Sequence, residues 1–103
     1  MNVTFRTNHV DRFKIIDMEI ASGSTNPEEF ATAIEWSKKE FVGPFVMLLG
    51  GRGPVWGYGM MLHEAHVSKA VATLDPRLGY VVVQSHDANY KVGQIIPVPL
   101  IEG

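Results

Sequence analysis

Residues 45–54, Phe45-Val46-Met47-Leu48-Leu49-Gly50-Gly51-Arg52-Gly53-Pro54, decide the architecture of this chain. The apolar run 45–49 lies between breakers, Gly43-Pro44 before it and Gly50-Gly51 after it. A short continuous apolar run of this kind marks a central strand buried on both faces. At its carboxyl end the chain turns through glycines, and Pro54 suits the start of a helix. A second helix is therefore expected from there to about His66.

Working outward, the segments before this strand are a hairpin and a helix. Residues 3–8 and 12–20 are β-rich, with Ile16, Met18 and Ile20 of one parity expected inward. His9 falls in the expected turn and reads as a solvated loop residue. Asn26-Pro27-Glu28-Glu29 announces a helix: Asn26 can cap, Pro27 suits the first turn, and Glu29 completes a capping box. Phe30, Ala33, Ile34, Ser37 and Phe41 share a face at helical spacing, so this helix is expected to reach about Glu40. Trp36 lies off that face, as plain surface or as cover for a neighbour.

After the second helix, residues 69–74 and 80–85 read as strands joined by Asp75-Pro76-Arg77-Leu78-Gly79, which has the residues of a type I turn with a left-handed exit. Residues 95–100 form a last extended piece that Pro97 and Pro99 confine to an edge. The order β-β-α-β-α-β-β-β predicts an α+β fold with one mixed sheet, in a single domain spanning 1–103. Two helices on one face would leave the other free for a second subunit.

Composition narrows the chemistry. With no cysteine among 103 residues, disulfides and zinc-thiolate sites are excluded. Any metal must be held by His, Asp, Glu and water, which suits manganese, magnesium or a His-rich zinc site. A net charge of −2 lacks the basic excess of a general nucleic-acid binder, so a phosphate site must be local. A core this small buries roughly 65% of the unfolded surface. With 46% hydrophobic residues, a buried subunit interface is expected. The amino terminus lacks the apolar core of a signal peptide, and no run approaches a membrane span, which predicts a cytoplasmic protein with no membrane partner.

Chemistry-bearing residues concentrate in 50–86. Arg52 among glycines at a strand's carboxyl end, before a helix, suits an anion; a tight turn with a surface arginine suits the same residues. His63 and His66 lie one turn apart and face one way, as metal or phosphate ligands or as surface histidines at a helix carboxyl end. Pairing residue 74 with residue 80 puts His86 opposite about Ser68. His63, His66 and His86 then converge, with Gln84 on the face of His86. Asp75 and Arg77 fall at the other end, roughly 20 Å away along six strand residues. Asp75 and His66 can serve one site only if different subunits supply them.

The segments GGRGPVWGY (50–58), His63-x-x-His66, LDPRLG (74–79) and VVVQSH (81–86) resemble the smallest of the CRISPR-associated ring-nuclease families, found beside type III CRISPR systems. The resemblance is close over about 45–90 and elsewhere follows element order only. It implies a ferredoxin-like fold and a dimer that binds and cleaves cyclic tetra-adenylate with manganese. Dimers would stack head to tail into tetramers or filaments. Deadenylation of RNA 3′ ends is also attributed to such proteins. Matched residue by residue, His66 takes the position of the main catalytic histidine, and Asp75 that of the essential acid from the opposing dimer. His63 and Arg77 match further polar positions of the site. Gly51, Arg52, Gly53, Trp56, Gln84, Ser85 and His86 are expected on the ligand, and His66, Asp75 and His86 around the metal. A non-cleaving cyclic-oligoadenylate sensor and a manganese-dependent 3′ exonuclease on RNA are the competing readings.

Overall fold

A computed structural model gives the structure and describes residues 1–98. Its elements are β1 (Val3–Val10), β2 (Phe13–Ile20), α1 (Pro27–Trp36), a 3-10 turn (Lys38–Phe41), β3 (Val46–Gly51), α2 (Val55–Ala65), β4 (Ala70–Asp75), β5 (Gly79–Ser85) and β6 (Ile95–Ile96). They form one six-stranded mixed sheet in the order β1-β2-β3-β4-β5-β6. The fold is α+β with two helices, compatible with a ferredoxin-like architecture. The pairs β2–β3 and β3–β4 are parallel and the others antiparallel. Each parallel pair is bridged by a helix, as parallel neighbours require.

Both helices pack on one face. Phe30, Ala33 and Ile34 of α1, with Met61 and Ala65 of α2, bury against Val3, Ile16, Met18, Met47, Leu49 and Val71 of the sheet. Asn26 Oδ1 accepts from the Glu29 backbone N–H at 2.8 Å, as its position predicts. The capping box is only half formed. Glu29 turns instead to Thr25 Oγ1 at 2.6 Å and Asn2 Nδ2 at 2.7 Å, tying the helix start to the amino-terminal segment. The first helix stops at Trp36 rather than Glu40, and the chain tightens into the 3-10 turn that brings Phe41 into the core. Trp36 is 76% exposed.

The second face is covered in part: Thr4, Arg6, Asn8 and Glu19 of the β1–β2 half are exposed, while the β3–β5 part is buried. Val46, Leu48, Ala70, Ala72 and Val82 are at most 1% exposed on that side. Phe13, Tyr80 and Ile96 share their cluster, with Tyr90 and Val98 packed against it. The segment after β5 therefore packs against the β3–β5 part of this face within the same chain. Of the extended piece expected at 95–100, Ile95–Ile96 pairs with β5 at the edge; Pro99 and Leu100 lie outside the described residues.

The β4–β5 hairpin carries an irregularity that positions the site. Leu74 pairs with Tyr80 and Ala72 with Val82, but Val71 pairs with Gln84 and Ala70 with Ser85. One extra residue, Val83, is thus inserted in β5. Strict alternation after Tyr80 and Val82 would send Gln84 and His86 to the face away from the helices. The bulge turns them to the helix side and moves His86 opposite Lys69, whose carbonyl accepts the His86 backbone N–H at 2.8 Å. Ser68, the partner expected by strict counting, is one residue off.

Candidate functional site

Four side chains gather where α2 ends and β4 begins. His63 lies in the last turn of α2 and His66 caps it. Their rings stack with centroids 5.8 Å apart and planes 19° apart. His66 Nδ1 lies 2.7 Å from the His63 carbonyl oxygen. A carbonyl only accepts, so Nδ1 carries the proton and Nε2 of the neutral ring keeps its lone pair. From β5, Gln84 Nε2 donates to the main-chain carbonyl of His66. His86 Nε2 donates to the same oxygen at 3.1 Å. His63, His66 and His86 thus lie at one end of the hairpin, the first two ring on ring and the third, with Gln84, on the His66 main chain. His9 stands at this end of the sheet too, in β1 rather than in a loop, with its ring 4.9 Å from that of Phe45.

Asp75, Arg77, Arg52 and the glycine turn stand at the opposite end. The register Leu49–Thr73 carries Gly51 to the level of Asp75. Asp75 Oδ1 accepts from the backbone N–H groups of Arg77 at 2.8 Å and Leu78 at 3.1 Å. Those two donors, helped by the Arg77 guanidinium, hold its carboxyl below the usual carboxylate range. Gly79 closes the turn at φ 109°, the left-handed exit that the residues predict. Arg77 is exposed. Arg52, also exposed, borders a cavity of about 680 Å³ lined with Thr4, Glu19, Ile20, Ala21 and Gly23.

The glycines of the turn have a structural reason that spacing does not reveal. Gly51 sits at φ 106°, and a Cβ there would strike the backbone of Met18. A Cβ at Gly53 would strike the Met18 sulfur. The bare backbone thus makes room for Met18 on the neighbouring strand. Tyr58 Oη donates to the Gly51 carbonyl at 2.5 Å and braces the turn from α2. Burial, with Asp17 adding to it, pushes the Tyr58 phenol up, which keeps it a donor. Met18 and Tyr58 are the supporting residues that the sequence reading missed. The pairing of Met18 with Gly51 exists only in the folded sheet.

Two expected ligand residues are occupied locally. Trp56 meets Phe30 edge to face at 5.7 Å, between the helices. Ser85 Oγ donates to the Asp87 carbonyl at 2.9 Å and accepts from its N–H at 3.1 Å. No three His, Asp or Glu side chains gather around a metal position among the described residues. His66, Asp75 and His86 do not meet in one chain, because Asp75 stands at the far end of β4. A single chain therefore does not fit manganese with that set.

A small α+β sheet protein with two chemically distinct ends, histidines at one and an arginine–glycine turn with a carboxylate at the other, is the class defined by these features. The family model of CRISPR-associated protein (Cas_csx3) matches residues 32–97. That is more than half of the chain, and the protein belongs to this CRISPR-associated family. It is also 48% identical over 60 residues to a protein of Aquifex aeolicus (strain VF5) described only as uncharacterized, a stretch covering 57% of this chain and 53% of that one. The match thus spans about half the length of that relative. No helix among the described residues is long and apolar enough to cross a membrane.

Proposed function

We propose that this protein is a ring nuclease that binds cyclic tetra-adenylate and cleaves its phosphodiester bonds, switching off type III CRISPR signalling. The observation that carries this reading is the division of polar groups between the two ends of one sheet. His63 and His66 stand at one end; Arg52, Asp75 and Arg77 stand at the other. These histidines and arginines thus stand at separate ends of the sheet. Stacked head to tail, one dimer's histidine end faces another's arginine end, and a flat ring of phosphates fits between them.

In that arrangement Arg52 and Arg77 bind the phosphate and offset the charge gained by its oxygens during attack. His66 Nε2 takes the proton from the attacking hydroxyl, of ribose or of water. As the new P–O bond forms, the bond from phosphorus to the leaving ribose oxygen breaks, and that oxygen takes a proton from water while the His66 imidazolium returns its own to solvent. The Asp75 carboxylate, held charged by its turn, orients this end of the site.

The test is single turnover of labelled cyclic tetra-adenylate, with and without added manganese, on the wild-type chain and on His66→Ala. Linear products are expected, and loss of the histidine lowers the rate by roughly 100- to 10,000-fold. Tight binding with no product under either condition leaves a non-cleaving sensor. Trimming of linear RNA 3′ ends, with the ring left intact, leaves an exonuclease.

A further inference from the structure

We infer that Gln84 and His86 are positioning residues that act through the main-chain carbonyl of His66, rather than contacts to the ligand or to a metal. The inference rests on the proposed role of His66 and extends it to the residues that hold His66 in place.

The last carbonyls of a helix have no donor within the helix. The carbonyl of His66, the residue that caps α2, is such a group. It receives two side-chain donors, Gln84 Nε2 from β5 and His86 Nε2 from the residue just past its end, the latter at 3.1 Å. The two donor nitrogens lie 3.4 Å apart, side by side on one oxygen. With its Nε2 proton committed to a carbonyl, the neutral His86 ring has one fixed tautomer. The Val83 bulge is what brings both side chains to the helix side. The main-chain link from His86 N–H to the Lys69 carbonyl, 2.8 Å, anchors the donor strand beside the loop that leaves His66.

The consequence reaches the imidazole. His66 holds its ring by Nδ1 on the His63 carbonyl at 2.7 Å. That bond needs the last turn of α2 to keep its shape. Two donors on the His66 carbonyl fix the turn, the turn fixes the ring, and Nε2 is left to face the substrate. Without the donors, the turn frays and the ring samples both tautomers.

The experiment uses the full chain and two independent readouts. The first is kcat and KM for cyclic tetra-adenylate in His86→Ala, Gln84→Ala and His86→Gln. The glutamine amide carries a donor at about the reach of Nε2. The second is the 15N signature of the His66 imidazole by NMR, which needs no activity. The inference expects kcat to fall roughly 10- to 100-fold in both alanine variants with KM within about twofold. It expects His86→Gln to recover most of that loss. It expects the fixed Nδ1–H signature of His66 to give way to tautomer averaging in His86→Ala. A rise in KM at unchanged kcat would make the residues ligand contacts and overturn the inference. So would a His86→Gln variant as inactive as His86→Ala, or an unchanged His66 signature in His86→Ala. If the wild type leaves the ring uncut, the proposed function fails, while the imidazole signature still decides the inference.

Discussion

Mixing two inactive variants tests the shared site most directly. The perturbation is an equimolar mixture of His66→Ala and Asp75→Asn. Along the β4–β5 ladder, the histidine end begins at the Ala70–Ser85 pair and the carboxylate end lies at Asp75–Gly79. Six strand residues span roughly 20 Å, so no single chain brings His66 and Asp75 onto one phosphodiester. In a head-to-tail stack, each site takes its histidine from one subunit and its carboxylate from the next. An intact site then needs an Asp75→Asn subunit on the histidine side and a His66→Ala subunit on the other. Random stacking makes about a quarter of the sites intact, whether whole dimers or single subunits exchange. Asparagine is chosen because its amide oxygen keeps the acceptor for the N–H groups of Arg77 and Leu78, at 2.8 and 3.1 Å in the wild type. A loss of rate then reports the missing charge and not a melted turn. The assay is single turnover of cyclic tetra-adenylate at constant total protein. Each variant alone should stay at background and the mixture should approach a quarter of the wild-type rate. Wild-type catalysis should also rise more steeply than linearly with protein concentration. A mixture no better than the sum of its parts refutes the shared site and with it the separation argued from the hairpin.

The other expectations concern the scaffold. Gly51→Ala forces a side chain onto φ 106° and against the Met18 backbone, and should cost on the order of 3 kcal/mol, a drop of roughly 15 °C in Tm. Gly59→Ala should instead gain about 1 kcal/mol, since a Cβ there meets nothing and the position is helical; equal shifts in thermal melts would contradict the distinction. Burial raises the carboxyl pKa of Asp17 despite the opposing pull of Arg6. Its ionisation therefore works against the fold as pH rises from the unfolded-state value through the folded one, and that penalty persists at neutrality. Asp17→Asn should raise Tm at pH 7 by an amount that shrinks toward pH 4, and a gain independent of pH would count against it. Lys14, its side chain 6% exposed, has its ammonium 3.6 Å from Glu40. Glu40→Ala should lower stability by about 1–2 kcal/mol in chemical denaturation, and adding Lys14→Met should return most of it.

Much of this architecture is legible in the residues. Pro27 after Asn26, the apolar run before Gly50, and Asp75-Pro76 with Gly79 each specify a local conformation through short-range sterics and hydrogen bonding, and each element appears where those signals stand. The ends of the candidate site were legible for the same reason. His63 and His66 share a helix face by their spacing, and the length of one strand separates them from Asp75. The fate of the second sheet face was not legible. Alternation says that Leu48 and Ala72 are buried, but not whether a second subunit or Tyr90, Ile96 and Val98 of the same chain cover them.

Residue patterns along the chain set the order of elements, the turn that holds Asp75 and the strand length that parts the histidines from Asp75 and Arg77, because these depend on neighbours close in sequence; Arg52 joins that end only through the pairing of β3 with β4. The roles of the glycines and of the last motif emerge only when the strands pair. The glycines admit Met18, a residue that reaches them only because β2 and β3 pair. Gln84 and His86 reach His66 only because one residue, Val83, is left over when β5 pairs with β4. Strand register is set by the packing of whole faces, so no local pattern in Val81-Val82-Val83 says which valine the sheet will leave unpaired.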